Sequence, residues 1–215
     1  MKFLPIASRL ALLVGLFTVL LPQFAAAGGL GAYFDYSRGD QTVKLTFGDE
    51  TFSNDRFGVG VVLDTNVARN ELLNVRVSLG YVYTDSTAPV PDPDKGHGGA
   101  FELGIGAGFW RTPKFRLWAA PIAHIGVDYY ENSRAQILDL GFGGGLRIGL
   151  NWHVSPRVSV SPSIAYQYLY IRETFTDDFG KNQDNGSEQL ITARFTFLFR
   201  DLRDVYRTRP RSRSR

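Results

Sequence analysis

The stretch Leu138–Trp152, LDLGFGGGLRIGLNW, decides how this chain is read. One parity holds Leu138, Leu140, Phe142, Gly144, Leu146, Ile148, Leu150 and Trp152, and the other holds Asp139, Gly141, Gly143, Gly145, Arg147, Gly149 and Asn151. Side chains alternate across a β-strand, so one face is apolar while the other is small or charged. Strands in soluble sheets are mostly about 5–6 residues long, whereas a tilted strand crossing a bilayer needs about 9–11. This stretch is long enough to cross, and its charged face then has to point into a lumen. The reading it sets up is a closed membrane barrel.

Working outward, the N-terminus carries the marks of an export signal. Lys2 and Arg9 supply positive charge, Leu10 to Leu21 an apolar core, and Ala25-Ala26-Ala27 a small-residue cleavage site, so residues 1–27 read as a signal peptide and the mature chain begins at Gly28. That apolar core is too short for a spanning helix. The chain has no cysteine, which excludes disulfides, thiolate metal sites and a cysteine nucleophile. The formal net charge is +3, but the segment after Phe199 holds seven arginines against Asp201 and Asp204. Residues 28–199 are therefore net negative, and the basicity belongs to residues 200–215. That segment is too arginine-rich and proline-broken to pack. It reads as a disordered periplasmic tail that offers contact to anionic headgroups or cell-wall polymers.

Between these ends the alternation recurs. Expected strands are Leu30 to Ser37, Arg56 to Asp64, Leu73 to Thr84, Ala100 to Trp110, Phe115 to Tyr129, Leu138 to Trp152, Val158 to Phe175 and Glu188 to Phe199. Polar stretches at 39–55, 85–99 and 177–187 read as long loops, with Thr42 to Phe47 able to extend the first hairpin. Arg111–Lys114 and His153–Arg157 read as short turns. Pro121 cannot donate to a ladder, so a bulge or weakened pair is expected there. Long connections after strands one, three and seven and short ones after two, four and six match outer-membrane barrels, whose periplasmic turns are short. The brief connection after strand five is the exception. The expected fold is all-β: an eight-stranded antiparallel transmembrane β-barrel, an up-and-down meander spanning residues 28–199. Tyr36, Tyr81, Tyr83, Tyr129, Tyr168 and Tyr170 fall near one end and Trp110, Trp118 and Trp152 near the other. By parity, however, Trp110 and Trp118 face inward.

On these features the chain resembles the small eight-stranded outer-membrane barrels of the OmpA transmembrane-domain and OmpX kind, over about Gly28 to Phe199. The resemblance implies a bacterial outer membrane, lipid and lipopolysaccharide around a monomer, and no nucleic-acid partner. It also implies that TARFTFLF, Thr192 to Phe199, with Phe195, Phe197 and Phe199 on one face, is the β-signal read by the barrel-assembly machinery. The arginine tail departs from the pattern, because that signal is usually terminal. The group includes adhesins, envelope-stabilising proteins and small channels, so fold alone does not assign function.

Inward parity selects Asp35, Arg56, Arg76, Glu102, Asp128, Asp139, Arg147, Glu173 and Arg194 as a lumenal charge network. Such a set forms either an ion path or a plug, and an eight-stranded barrel is just wide enough for side chains to fill. Buried charges need partners, which favours the plug. The inward glycines Gly104, Gly106, Gly108, Gly141, Gly143 and Gly145 then make room for arginines or for water. Small-barrel lipid A deacylases of the PagL kind use a His and a Ser on the barrel exterior. Here His124 is followed by Ile125-Gly126 and points inward, His97 falls in an expected loop and His153 in a turn, so no catalytic residue is assigned. Arg38-Gly39-Asp40 offers a surface-contact motif of the integrin-binding kind, or simply a turn of common turn residues. The glycine pairs fail the spacing G-x-G-x-x-G, and Asp177 to Glu188 lacks EF-hand spacing, so neither cofactor nor metal is implied. The leading functional reading is non-enzymatic, an envelope-structural or adhesin-like surface protein; the second is a narrow porin-like channel, and the third a lipid-modifying enzyme.

Overall fold

The computed structural model describes residues 28–45, 48–66, 73–87, 95–112, 114–131, 135–177 and 180–200. The expected signal peptide and the tail beyond Arg200 lie outside them. Eight strands follow in chain order: β1 (Gly28–Leu45), β2 (Gly48–Asn66), β3 (Leu73–Ser86), β4 (Lys95–Arg111), β5 (Phe115–Glu131), β6 (Ala135–Ser155), β7 (Val158–Asp177) and β8 (Gly180–Arg200). Each pairs antiparallel with its successor, and β1 pairs with β8 to close a barrel. The seam runs in unbroken register from Gly29↔Arg200 to Lys44↔Asn185. Closure is what hydrocarbon demands, since an open sheet edge would leave N–H and C=O groups without water or partner. Leu30, Phe34, Val59, Ile105, Ile125, Phe142, Ile148 and Ile191 point outward along their strands, and Arg56, Arg76, Glu102, Asp139 and Arg147 point inward and are buried.

The strands are longer than the sequence suggests. The stretch 39–55 reads as a loop in which Thr42 to Phe47 can extend the first hairpin; the extension is the larger part, since β1 continues to Leu45 and β2 starts at Gly48. Likewise β4 starts at Lys95 inside the expected loop 85–99, and β8 starts at Gly180 inside 177–187. The physical reason is solvent. Above the membrane a strand is wet on its outer face, so the apolar half of the alternation disappears while the ladder continues. Gly48 and Gly180 take φ of +138° and +148° at the two tall hairpins, a region that glycine enters without steric cost. Strands β7, β8, β1 and β2 therefore rise together as one wall at the hairpin end of the barrel.

Parity breaks beside the turns at the opposite end, where β1 begins at Gly28 and β8 ends at Arg200. The β4–β5 ladder steps from Gly108↔Trp118 to Trp110↔Leu117, leaving Phe109 as the extra residue of a bulge. Trp110, inward by simple counting, is thereby turned outward and is 50% exposed, whereas Trp118 stays inside at 1%. A second bulge at Val154 separates His153↔Ser159 from Ser155↔Val158. No bulge occurs at Pro121. It pairs with Leu146 on the β6 side, while the β4 ladder passes from Gly104↔Ile122 to Ala107↔Ala119 across it. The expected weakening is thus confined to one of its two neighbours.

The inward glycines do several jobs. At Gly108 an added Cβ would lie 2.6 Å from Arg116 Nε, so this glycine does make room for an arginine. At Gly143 and Gly145 the obstruction is backbone, at 2.1 and 1.9 Å from the Tyr168 and Tyr166 carbonyl oxygens. Those two allow close strand approach rather than space for a long side chain.

Closure at the seam is directly testable in a cysteine-free chain. Ala32 and Phe197 are partners on the outer face. The A32C/F197C double variant should form a disulfide on oxidation and keep its compact gel mobility on heating in detergent, while the reduced form shifts as the wild type does. Failure to cross-link in folded protein would mean the seam is open.

Candidate functional site

The lumen holds the charges in three tiers. Nearest the termini, Arg76 Nη2 lies 2.8 Å from Asp64 Oδ2, Asn74 donates to Asp64 Oδ1 at 2.6 Å, and Arg116 Nη2 donates to Asn74 Oδ1 at 3.3 Å. The Arg76 guanidinium sits 4.2 Å over the Trp118 ring, and the Trp118 Nε1–H donates to Asn151 at 3.0 Å.

The middle tier crosses the barrel. Arg194 Nη2 and Nε both reach Asp35 Oδ2 at 2.8 Å, and Arg194 Nη1 reaches Glu102 Oε1 at 3.1 Å. Arg147 Nη2 takes the other oxygen, Glu102 Oε2, at 2.7 Å, and Gln167 donates to that same oxygen at 3.3 Å. Arg194 also covers the Tyr33 ring at 4.1 Å. In the third tier Arg56 Nη2 bridges Asp128 at 3.1 Å and Glu188 at 3.0 Å. Asn54 donates to Glu188 and to Gln41, both at 2.9 Å, and Gln41 donates to Asp139 at 3.2 Å.

Apolar clusters fill the space around these tiers: Trp118, Ala120, Ile122 and Ala165; Tyr33, Val62 and Leu198; Leu169, Ile171 and Leu190. Two residues beyond the third tier on their strands, Val43, Tyr130 and Ile137 are buried as well. A cavity lined by Tyr33, Arg56, His124 and Arg194, among others, measures about 30 Å³, room for about two waters.

Seven of the nine charges expected from parity thus stand in these ion pairs: Asp35, Arg56, Arg76, Glu102, Asp128, Arg147 and Arg194. Asp139 accepts from an amide instead, beside Asp128 and Glu173 in the ladder. Glu173 is half-buried near the hairpin end. Parity reasoning also missed Asp64, Glu188 and Arg116. All three share the inward parity of their strands, with Asp64 and Glu188 at expected strand ends. The neutral partners Gln41, Asn54, Asn74 and Gln167 carry no charge signal, although their parity is inward too.

Outside, Tyr36, Tyr81, Tyr129, Tyr168 and Tyr170 are exposed toward the hairpin end, and Trp110 and Trp152 toward the termini. Tyr81 hydrogen-bonds His97, whose ring packs near Tyr81 and Tyr83. Phe34 stacks on Phe195 across the seam, with ring centres 5.4 Å apart, and Phe195 meets Phe197 at 5.2 Å. Two aromatic bands bounding an apolar belt are the outer-membrane pattern.

No protein-family model matches the sequence, and no curated protein matches it. Among solved structures the chain is similar to the outer membrane protein OprG from Pseudomonas aeruginosa, at 9% identity over 81% of this chain and 98% of that one, with a TM-score of 0.53. It is also similar to the N-terminal β-barrel domain of Pseudomonas aeruginosa OprF, at 14% identity over 78% and 98% of the two chains and a TM-score of 0.39. A third is Ail, the attachment invasion locus protein of Yersinia pestis, at 12% identity over 79% and 99%, with a TM-score of 0.40. The fold is that of the small eight-stranded outer-membrane barrels. The outer membrane is the location this fold implies.

The other sites expected from sequence fall into place on the barrel. Arg38, Gly39 and Asp40 form no turn: they lie within β1, opposite Asp55, Asn54 and Ser53. Ser53 Oγ donates to Asp40 at 2.7 Å, and Gly39 faces inward against the Gln189 carbonyl. A loop presenting the Arg38 and Asp40 side chains together to a receptor is therefore not what the barrel offers. His124 does face the lumen, 3.4 Å from Gln167. His153 Nδ1 lies 2.8 Å from Ser159 Oγ, a pairing the sequence reading did not foresee. Ser159 is 0% exposed, so its hydroxyl has no approach for a substrate.

Removing one member of a buried ion pair costs about 3–5 kcal/mol, because the other is left uncompensated. Arg194→Ala should lower the unfolding free energy of the refolded barrel by about that amount in denaturant titration. Arg38→Ala, on the exposed face, should change it by under about 0.5 kcal/mol. A loss below about 1 kcal/mol for Arg194→Ala would show that water already solvates the tier.

Proposed function

We propose that this protein is a non-enzymatic outer-membrane barrel with a closed lumen, acting as an envelope-structural or surface-interaction protein through the wall at its hairpin end. The observation that carries the reading is the filled interior. Three ion-paired tiers stand among apolar clusters, and among the described residues the cavity beside Arg56 and Arg194 admits about two waters. A conducting path needs a continuous file of water, and each tier places an arginine–carboxylate pair across it. Function is then left to the exterior. There the tall β7–β8–β1–β2 wall exposes polar and charged residues such as Arg38, Asp40, Lys44, Asp49, Glu50 and Gln189. The non-enzymatic part rests on the buried state of Ser159 beside His153.

The mature protein refolded into a planar bilayer should give a flat current trace at ordinary holding potentials. Discrete, reproducible openings that disappear when Arg147 or Arg194 is exchanged would overturn the closed reading and install the narrow-channel alternative.

A further inference from the structure

The terminus end of the barrel has a corner of its own chemistry. Among the described residues, the exposed charged side chains at this end are Arg111, Lys114 and Arg157, all cationic. The hairpin end, by contrast, mixes exposed acids such as Asp49 with bases such as Lys44. Arg111 and Lys114 bracket the β4–β5 turn and Arg157 lies in the β6–β7 turn. These two turns are fastened together: the His153 N–H donates to the Lys114 carbonyl at 2.8 Å, and Phe115 stacks on Trp152 with ring centres 6.2 Å apart. The Phe109 bulge delivers Trp110 to the outside, where it joins Trp152, 47% exposed, as the second indole of the same corner.

We infer that this corner binds the headgroup of an anionic glycerophospholipid. Indole rings settle at the headgroup level of a bilayer, with the apolar body in hydrocarbon and the N–H in the wet interface. Cations held just beyond that level, on turns tied to each other, meet the lipid phosphate without first being ordered. Anionic lipid is favoured by about 1 kcal/mol per nearby Lys or Arg, about fivefold in local partitioning. The bulge has a purpose on this account, because without it Trp110 would enter the lumen beside Trp118 and the corner would lose half its anchor.

The three tryptophans provide the test, with Trp118 sealed in the lumen as an internal reference. The full mature chain, tail included, is refolded into phosphatidylcholine vesicles carrying a minor fraction of either brominated phosphatidylglycerol or brominated phosphatidylcholine. Tryptophan quenching by the brominated phosphatidylglycerol should exceed that by the zwitterionic lipid about twofold or more at equal fraction. The excess should vanish in about 1 M salt, where screening reaches about 3 Å. K114Q/R157Q, which keeps Arg111 and the tail, should lose at least half of the excess while keeping wild-type quenching by brominated phosphatidylcholine. Equal quenching by the two lipids in the wild type, an excess that survives salt, or an excess unchanged in K114Q/R157Q would each overturn the inference. The salt arm needs no substitution, so it stands even if the variant folds poorly.

Discussion

Every backbone N–H and C=O in hydrocarbon must find a partner within the protein, because no water is there to replace it. That single constraint closes the ring through β1 and β8, and the rest follows from closure. A closed sheet has an inside and an outside, so a strand with period two must commit one parity to lipid and the other to the lumen. With eight strands the inside is only wide enough for side chains, so whatever faces inward must pack against its counterparts as a core does. The charges are then tolerated only if the pattern around the ring brings opposite signs together.

It does so across the barrel rather than along it. Glu102 on β4 takes Arg147 from β6 on one oxygen and Arg194 from β8 on the other, and Gln167 from β7 shares the first. Arg194 adds Asp35 on β1 and Ser78 on β3. Six of the eight strands thus meet at one level through side chains alone, although the ladder connects only sequential neighbours and the seam. Arginine suits this position better than lysine would. Its planar, permanently charged fork reaches two carboxylates and still covers a ring, as Arg194 does over Tyr33. Pair removal in such a place is expensive, and pair replacement by apolar residues need not be. The tiers therefore specify how the strands align in the lumen more than they add to stability.

Much of this was legible in the sequence because membrane strands repeat one rule. Strand number, order and facing followed from parity, and so did the inward position of the nine charges. Three things did not follow. Strand length was underestimated at Gly39–Leu45 and Gly180–Ser187, because beyond the lipid the outer face turns polar and the stretch reads as loop. The facing of Trp110 was inverted, because counting by two cannot detect the extra residue at Phe109. Of the neutral members of the tiers, Gln41 and Asn54 fall in the stretch that reads as loop, and Asn74 and Gln167 were passed over because polarity on an inward face is unremarkable without the partner in view. Pairing itself was out of reach: parity says that Arg194 and Glu102 face inward, but only the stagger of the strands says that they meet.

The same stagger explains why the exterior is not uniform along the barrel axis. Near the termini, turns are short and parity is broken by bulges, so aromatic rings and cations sit within a few residues of one another on adjacent hairpins. Toward the hairpin end the ladders simply continue, and β1 remains paired on both sides as far as Lys44. A wall built this way is stiff, because its backbone hydrogen bonds are already made and a partner need not order it. Loops would have offered adaptable contact at an entropic cost. A ladder offers a fixed face whose residues are chosen by parity, with Arg38, Asp40 and Gln189 outward and Gln41 inward. A molecule that meets this wall therefore meets shape and charge already in place.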